Sequence, residues 1–330
     1  MKLYSQLLVE QCGDFSRIPA ECKTLREATD DTPEVTESRT GVGIEVEVEG
    51  VWGVNGLPRQ WDGILDGSLR NHGREFVSCP LRGNNIRNSI HELFAWLKTN
   101  PETTGYDFSE RTSIHVHLNA RKMTEEQIAT LLLGYVVVES LLFAFAGKER
   151  EGNHFSVPAE RSCLVRIVAE FLELFEAGEE KETRDLSYNW YKYCSINLRT
   201  LYEDRNNAGD GCPPKGTIEF RHMAGTDDVS RIITWVNILL ALKLWAKSTP
   251  YDVAKAAALA LNTTSHYAEF VYSIFGKVAD LTGGHDLQQV MENNCTTVAA
   301  LFVPVYSPAM VEGSSLWNYL KGKRSDAEVI

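Results

Sequence analysis
The chain has no C-x-x-C pair, no basic run, no glycine-rich phosphate loop and no internal repeat. Each absence closes a class of function. The seven cysteines (Cys12, Cys22, Cys79, Cys163, Cys194, Cys212 and Cys295) are odd in number and irregular in spacing. That argues against a disulfide framework or zinc knuckle and for free thiols in a reducing compartment. A formal charge of −12 with no stretch of Lys and Arg repels phosphate backbones, so nucleic acid is not an expected partner. Residues 1–10 carry one Lys and a short apolar patch but no signal-peptide core. The most apolar stretch, 128–146, holds Glu139 in its middle, which fits a buried helix better than a membrane span. A cytoplasmic protein without a membrane segment is the expectation, and in such a chain the N-x-T sequons at Asn262 and Asn294 carry no meaning.

What is present is an ordinary globular composition, 43% hydrophobic and 24% charged over 330 residues. It suits one large domain or two closely packed ones. Residues 1–40 are mixed, then polar and acidic, and read as an N-terminal arm. From Gly41 five short segments alternate with period two, the mark of strands with two different faces. In 42–48, Ile44, Val46 and Val48 alternate with Glu45, Glu47 and Glu49. The second segment is 75–78, closed by Pro80. In 113–119, Ile114, Val116 and Leu118 alternate with His115, His117 and Asn119. In 193–200, Cys194, Ile196 and Leu198 alternate with Ser195, Asn197 and Arg199; in 217–222, Ile218 and Phe220 alternate with Glu219 and Arg221.

Helical periods fill the gaps at 86–98, 124–146, 161–177 and 228–247, with Thr124 and Gln127 placed as a capping box. Beyond Tyr251 the chain reads as helical and Ala-rich, then irregular. Strands apolar on one face and charged on the other need helices on the apolar face. The expected fold is therefore α+β: a curved, mostly antiparallel sheet with a polar concave face, backed by helices. The expected organisation is an arm at 1–40, a catalytic core at 41–226 and a mainly helical part at 227–330 packed on the core.

Taken singly, each charged strand has a plain explanation. An E-x-E-x-E strand is normally a solvated sheet face, an H-x-H pair is often a surface feature, and Glu219 with Arg221 could be an exposed ion pair worth little. Together they say more, because acids from the first, second and fifth segments share one alternation class with His115 and Arg221. If these strands share a sheet, the groups converge. Several Glu with one or two His form a hard, oxygen-rich cation site, suited to Mg²⁺ or Mn²⁺ better than Zn²⁺. Arg199 and Arg221 beside it suggest phosphate. Without a G-x-x-x-x-G-K-[ST] loop, a nucleotide would be held by metals and Arg on the sheet.

Five motifs in order, G-I-E-V-E at 43–47, D-G-S-L…G-R-E-F-V-S-C-P-L at 66–81, I-H-V-H at 114–117, S-I-N-L at 195–198 and G-T-I-E-F-R at 216–221, resemble the amidoligases of the glutamine synthetase/glutamate–cysteine ligase superfamily. The resemblance spans about residues 41–226. It implies a glutamine synthetase-like catalytic fold with metals and ATP on the concave face. It implies Glu45, Glu47, Glu75, His115 and Glu219 as metal ligands, and Arg221 as the phosphate-binding, catalytic Arg. Asp66 is implied as a ligand or substrate contact, and Asn197 and Arg161 as polar groups of the nucleotide site. Glu49 and His117 share the face without an assigned role. The implied activity is an ATP- and Mg²⁺-dependent ligase joining a small-molecule or peptide carboxylate to an amine through an acyl phosphate, in a chain free to form a homo-oligomer. Two other readings stand at this point: a metal-dependent hydrolase using the same carboxylate–His cluster, and a non-catalytic binding module that retains the fold.

Overall fold
Alternation along the first acidic segment becomes strand β1 (Val42–Val48), and its two faces have different fates. Ile44, Val46 and Val48 are fully buried against helices; each side chain taken from water contributes about 1.5–3 kcal/mol. In the computed structural model, which describes residues 41–275 with interruptions at 82–83, 104, 121–122, 159–163, 180–181, 184, 187–189, 192, 202–215 and 262, together with Leu301, β1 lies inside a six-stranded sheet. Its partners are β2 (Trp61–Leu65), β3 (Arg74–Ser78), β4 (Ser113–Asn119), β5 (Ile196–Asn197) and β6 (Thr217–Ala224). The strand order is β2-β3-β1-β4-β6-β5, and every pairing is antiparallel.

The helices cover one face. They are α1 (Asn84–Thr99), α2 (Glu125–Ala146), α3 (Leu164–Glu176), α4 (Val229–Ser248), α5 (Tyr251–Leu259) and α6 (Thr264–Phe275). Thr124 and Gln127 make the expected capping box at the start of α2. Asp228 caps α4 by accepting from Arg231 N. Behind the sheet, the Trp61 indole on β2 donates to the Ser89 carbonyl of α1, and the Tyr135 ring of α2 rests on Phe220 of β6. Both α2 and α4 are long and apolar enough to cross a membrane by length and composition, but most of that surface is buried inside the protein. They meet closely at Gly134, where an added Cβ would sit 2.4 Å from the Trp245 ring. Glu139, mid-way along α2, is satisfied by the Tyr135 hydroxyl and by Ser195 Oγ at 2.7 Å.

Two strand expectations need correction. The segment expected as a strand over 193–200 pairs as a strand only at Ile196–Asn197. The Asn197 side-chain oxygen accepts from Arg199 N at 3.0 Å, and a 3-10 turn follows at Arg199–Leu201. An Asn that bonds the backbone two residues on diverts the chain from the ladder. Conversely, β2 was not among the expected segments, because Asp62 and Gly63 interrupt its apolar pattern. Gly63 is required there by close approach: an added Cβ would meet Val54 at 2.8 Å and Phe76 at 3.1 Å.

Candidate active site
Register decides which side chains meet. On β1, Glu45 lies opposite His115 of β4, and Glu47 opposite Glu75 of β3. His117 lies opposite Gly43 on one side and Glu219 on the other, and Glu219 is paired with Asn197 of β5. These residues share the face turned away from the helices. Gly43 makes room for His117, since an added Cβ would stand 3.3 Å from the His117 Cβ. Between β4 and β6 the register shifts: Ile114 faces Met223, while Val116 faces Phe220. Arg221 and His222 therefore oppose His115 alone, a bulge of the kind that re-aims side chains beside functional sites.

The face is not a solvated one. Glu45 is 6% exposed, Glu47 5%, His115 1%, His117 4% and Glu219 4%. Carboxylates buried in a group are costly unless positive charge compensates them, so the solvated-face explanation fails. Ligand atoms of Glu45, Glu75 and His115 lie within 4.8 Å of one another, as do those of Glu45, His117 and Glu219. Glu45 belongs to both groups. Its Oε2 is 3.1 Å from His115 Nδ1, and its Oε1 is 2.9 Å from His117 Nε2. That second contact lacks hydrogen-bond geometry, which leaves the buried His117 Nε2 without a hydrogen-bond partner. His117 Nδ1 is held at 3.1 Å by Thr217 Oγ1.

Charge balance at the two ends of the cluster differs. Glu75 is pushed up to about 9 by burial and by the neighbouring carboxylates Glu45, Glu47 and Asp66. At the other end, burial would raise Glu219, but Arg221, His117 and His115 together hold it below the ordinary carboxylate range. Arg221 Nη1 donates to Glu219 Oε1 at 2.5 Å, and its Nε donates to the Phe155 carbonyl at 3.2 Å. Burial alone would lower the Arg221 guanidinium, yet Glu219, Glu47 and Glu45 leave it above its usual value.

Of the residues expected from sequence, Glu45, Glu47, Glu75, His115, Glu219, Asn197 and Arg221 come together on this face. Glu47 accepts a hydrogen bond from Ser113 Oγ and stands in neither three-ligand group. Asn197 Nδ2 donates to Glu219 Oε2 at 2.6 Å. Asp66 sits in the β2–β3 loop, where its Oδ1 accepts from Ser68 N at 2.7 Å, and it raises Glu75 from there. Glu49 accepts from Arg70 N at 2.9 Å and so ties the same loop to β1. Arg199 is half-buried in the 3-10 turn after β5. Arg161 lies outside the described residues.

Three neighbours were not singled out in the sequence. Ser113 and Thr217 were findable, since each opens its strand in the alternation class of the residues already named. Arg150 was not, because it follows α2 in a 3-10 turn with no strand pattern to place it. It is 1% exposed, donates to the Arg221 carbonyl at 3.2 Å and braces the bulge from behind. Burial brings the Arg150 guanidinium down to about 10 against the pull of Glu47.

A search of curated proteins finds no match to the chain. A model of the family described as "Putative amidoligase enzyme" matches residues 23–243, a stretch that holds all six strands, α1 to α3 and most of α4. With that match over more than half its length, the chain belongs to this amidoligase family.

Proposed function
We propose that the protein is an ATP-dependent ligase that joins a carboxylate to an amine through an acyl phosphate and uses Mg²⁺ or Mn²⁺. The observation that carries this reading is the shared Glu45 carboxylate, whose two oxygens face different imidazoles and which belongs to both three-ligand groups. The donors suit hard divalent ions. They are mostly carboxylate oxygens, a buried His117 nitrogen has no hydrogen-bond partner, and Glu75 is raised by burial and by the neighbouring carboxylates. Glu45, Glu75 and His115 would hold one ion; Glu45, His117 and Glu219 would hold a second. Such ions, when bound, neutralise phosphate oxygens and so favour phosphoryl transfer.

The protein's own groups do the rest. Arg221 presents a planar guanidinium, fixed by Glu219 and the Phe155 carbonyl, at the edge of the cluster; there it would stabilise the phosphoryl group in flight. Asn197 holds Glu219 in place. Asp66, on the loop beside Glu75, is suited to a substrate ammonium. In the proposed reaction a carboxylate oxygen bonds to the γ-phosphorus of ATP and ADP leaves. The amine then bonds to the acyl carbon, phosphate leaves with one oxygen from the carboxylate, and the amine proton passes to a base or to water.

The test is ADP release over a matrix of carboxylates and amines with Mg²⁺. For a productive pair, an ¹⁸O-labelled carboxylate should deliver one ¹⁸O to the released phosphate. ADP release that needs neither partner, or phosphate without label, would overturn the proposal.

A further inference from the structure
Ser113 opens β4 and is 1% exposed. Its single hydroxyl proton is donated to Glu47 Oε2. Its oxygen also lies 2.7 Å from His115 Nε2. An ionised carboxylate only accepts hydrogen bonds, and a serine has one proton to give. Toward His115 the serine oxygen must therefore accept, so Nε2 carries the N–H. A neutral imidazole with Nε2–H has its lone pair on Nδ1. That nitrogen faces Glu45 Oε2 at 3.1 Å and Glu219 Oε1 at 3.6 Å. Glu219 Oε1 already accepts from Arg221 Nη1, but the Nδ1 lone pair and the Glu45 oxygen face each other, a repulsion that positive charge at Nδ1, a metal cation or a proton, removes.

We infer that Ser113 is a positioning residue: the Glu47–Ser113–His115 chain fixes the His115 tautomer so that Nδ1 is the nitrogen offered to a divalent cation. This assigns Glu47 to orienting the ligand through Ser113. It rests on the cation-site reading given above. A ring nitrogen that ligates metal is commonly set by the hydrogen bond its other nitrogen makes, and loss of such an outer partner costs roughly 10–100-fold in metal affinity. The two ring nitrogens of His117 are held differently, by Thr217 at Nδ1 alone, so Ser113 should affect His115 selectively.

The experiment uses the full chain and two readouts. Imidazole ¹⁵N spectra of the cation-free protein, assigned with His115→Gln, should show His115 protonated at Nε2. Ser113→Ala should lose that pattern, while Ser113→Thr, which keeps the hydroxyl, should retain it. Calorimetric titration with Mn²⁺ alone should show Ser113→Ala binding about 10–100-fold more weakly and Ser113→Thr within about threefold of wild type. A His115 signal bare at Nε2 would overturn the inference whatever the Mn²⁺ result. Equal Mn²⁺ affinity in wild type and Ser113→Ala would overturn it while leaving the cation site standing. No Mn²⁺ binding by the wild type would remove the cation reading and this role for Ser113 together.

Discussion

Replacing Arg221 by Lys separates its charge from its shape. The guanidinium makes two directed bonds, to Glu219 Oε1 at 2.5 Å and to the Phe155 carbonyl at 3.2 Å, and its side chain is only 15% exposed. A lysine ammonium can keep the contact with Glu219 but cannot also reach the carbonyl in the same fork. Losing one such bond in a buried setting costs about 1–2 kcal/mol. For a domain of this size that lowers the melting temperature by about 2–4 °C per kcal/mol, so a modest but measurable drop is expected. The loss in catalysis should be larger. Removing one preorganised charge stabiliser typically costs about 100-fold or more in turnover, equivalent to about 2.7 kcal/mol of barrier. The assays are ADP release with a productive substrate pair, thermal melting, and Mn²⁺ calorimetry, in which affinity should stay within a few fold of wild type. An Arg221→Lys protein that makes ADP at near wild-type rate would refute the assignment of Arg221 to phosphoryl transfer.

Glu45→Gln should weaken both cation groups at once, because one carboxylate serves the two; calorimetry should show loss of every Mn²⁺ site, and survival of one tight site would contradict the shared role. Glu75 keeps its proton up to about pH 9 when folded, against about 4.5 as an ordinary Glu. In that window the folded protein holds the extra proton, so cation-free stability should fall as pH rises from about 4.5 to about 9. In EDTA this decline should be shallower for Glu75→Gln, and stabilisation by added Mg²⁺ should grow with pH in the wild type; identical slopes in the two proteins would refute it. Gly134→Ala should destabilise despite the better helix propensity of Ala, by about 1–3 kcal/mol in denaturant unfolding, because the new Cβ meets the Trp245 ring at 2.4 Å.

Much of this architecture is legible in the chain because period-two alternation is a direct consequence of strand geometry. The bounds of β1 and β4 follow from it, as does the convergence of Glu45, Glu75, His115 and Glu219 on one face. Three features escape for physical reasons. β2 is hidden because Asp62 is an exposed polar residue and Gly63 answers to close packing against Val54 and Phe76 rather than to a pattern. β5 is shorter than its alternation because Asn197 turns the chain through its own side chain. The bulge opposite His115 is a property of two strands in register, not of either alone. Arg150 is a tertiary feature of the same kind, placed by the carbonyls it reaches.

In the proposed function the carboxylate–His cluster couples divalent cations to ATP. Calorimetric titration of ATP into the full chain tests it most directly, run in Mg²⁺, Mn²⁺, Zn²⁺ and EDTA. ATP should bind in Mg²⁺ or Mn²⁺, more weakly in Zn²⁺, and not at all in EDTA. Tight ATP binding in EDTA would contradict it.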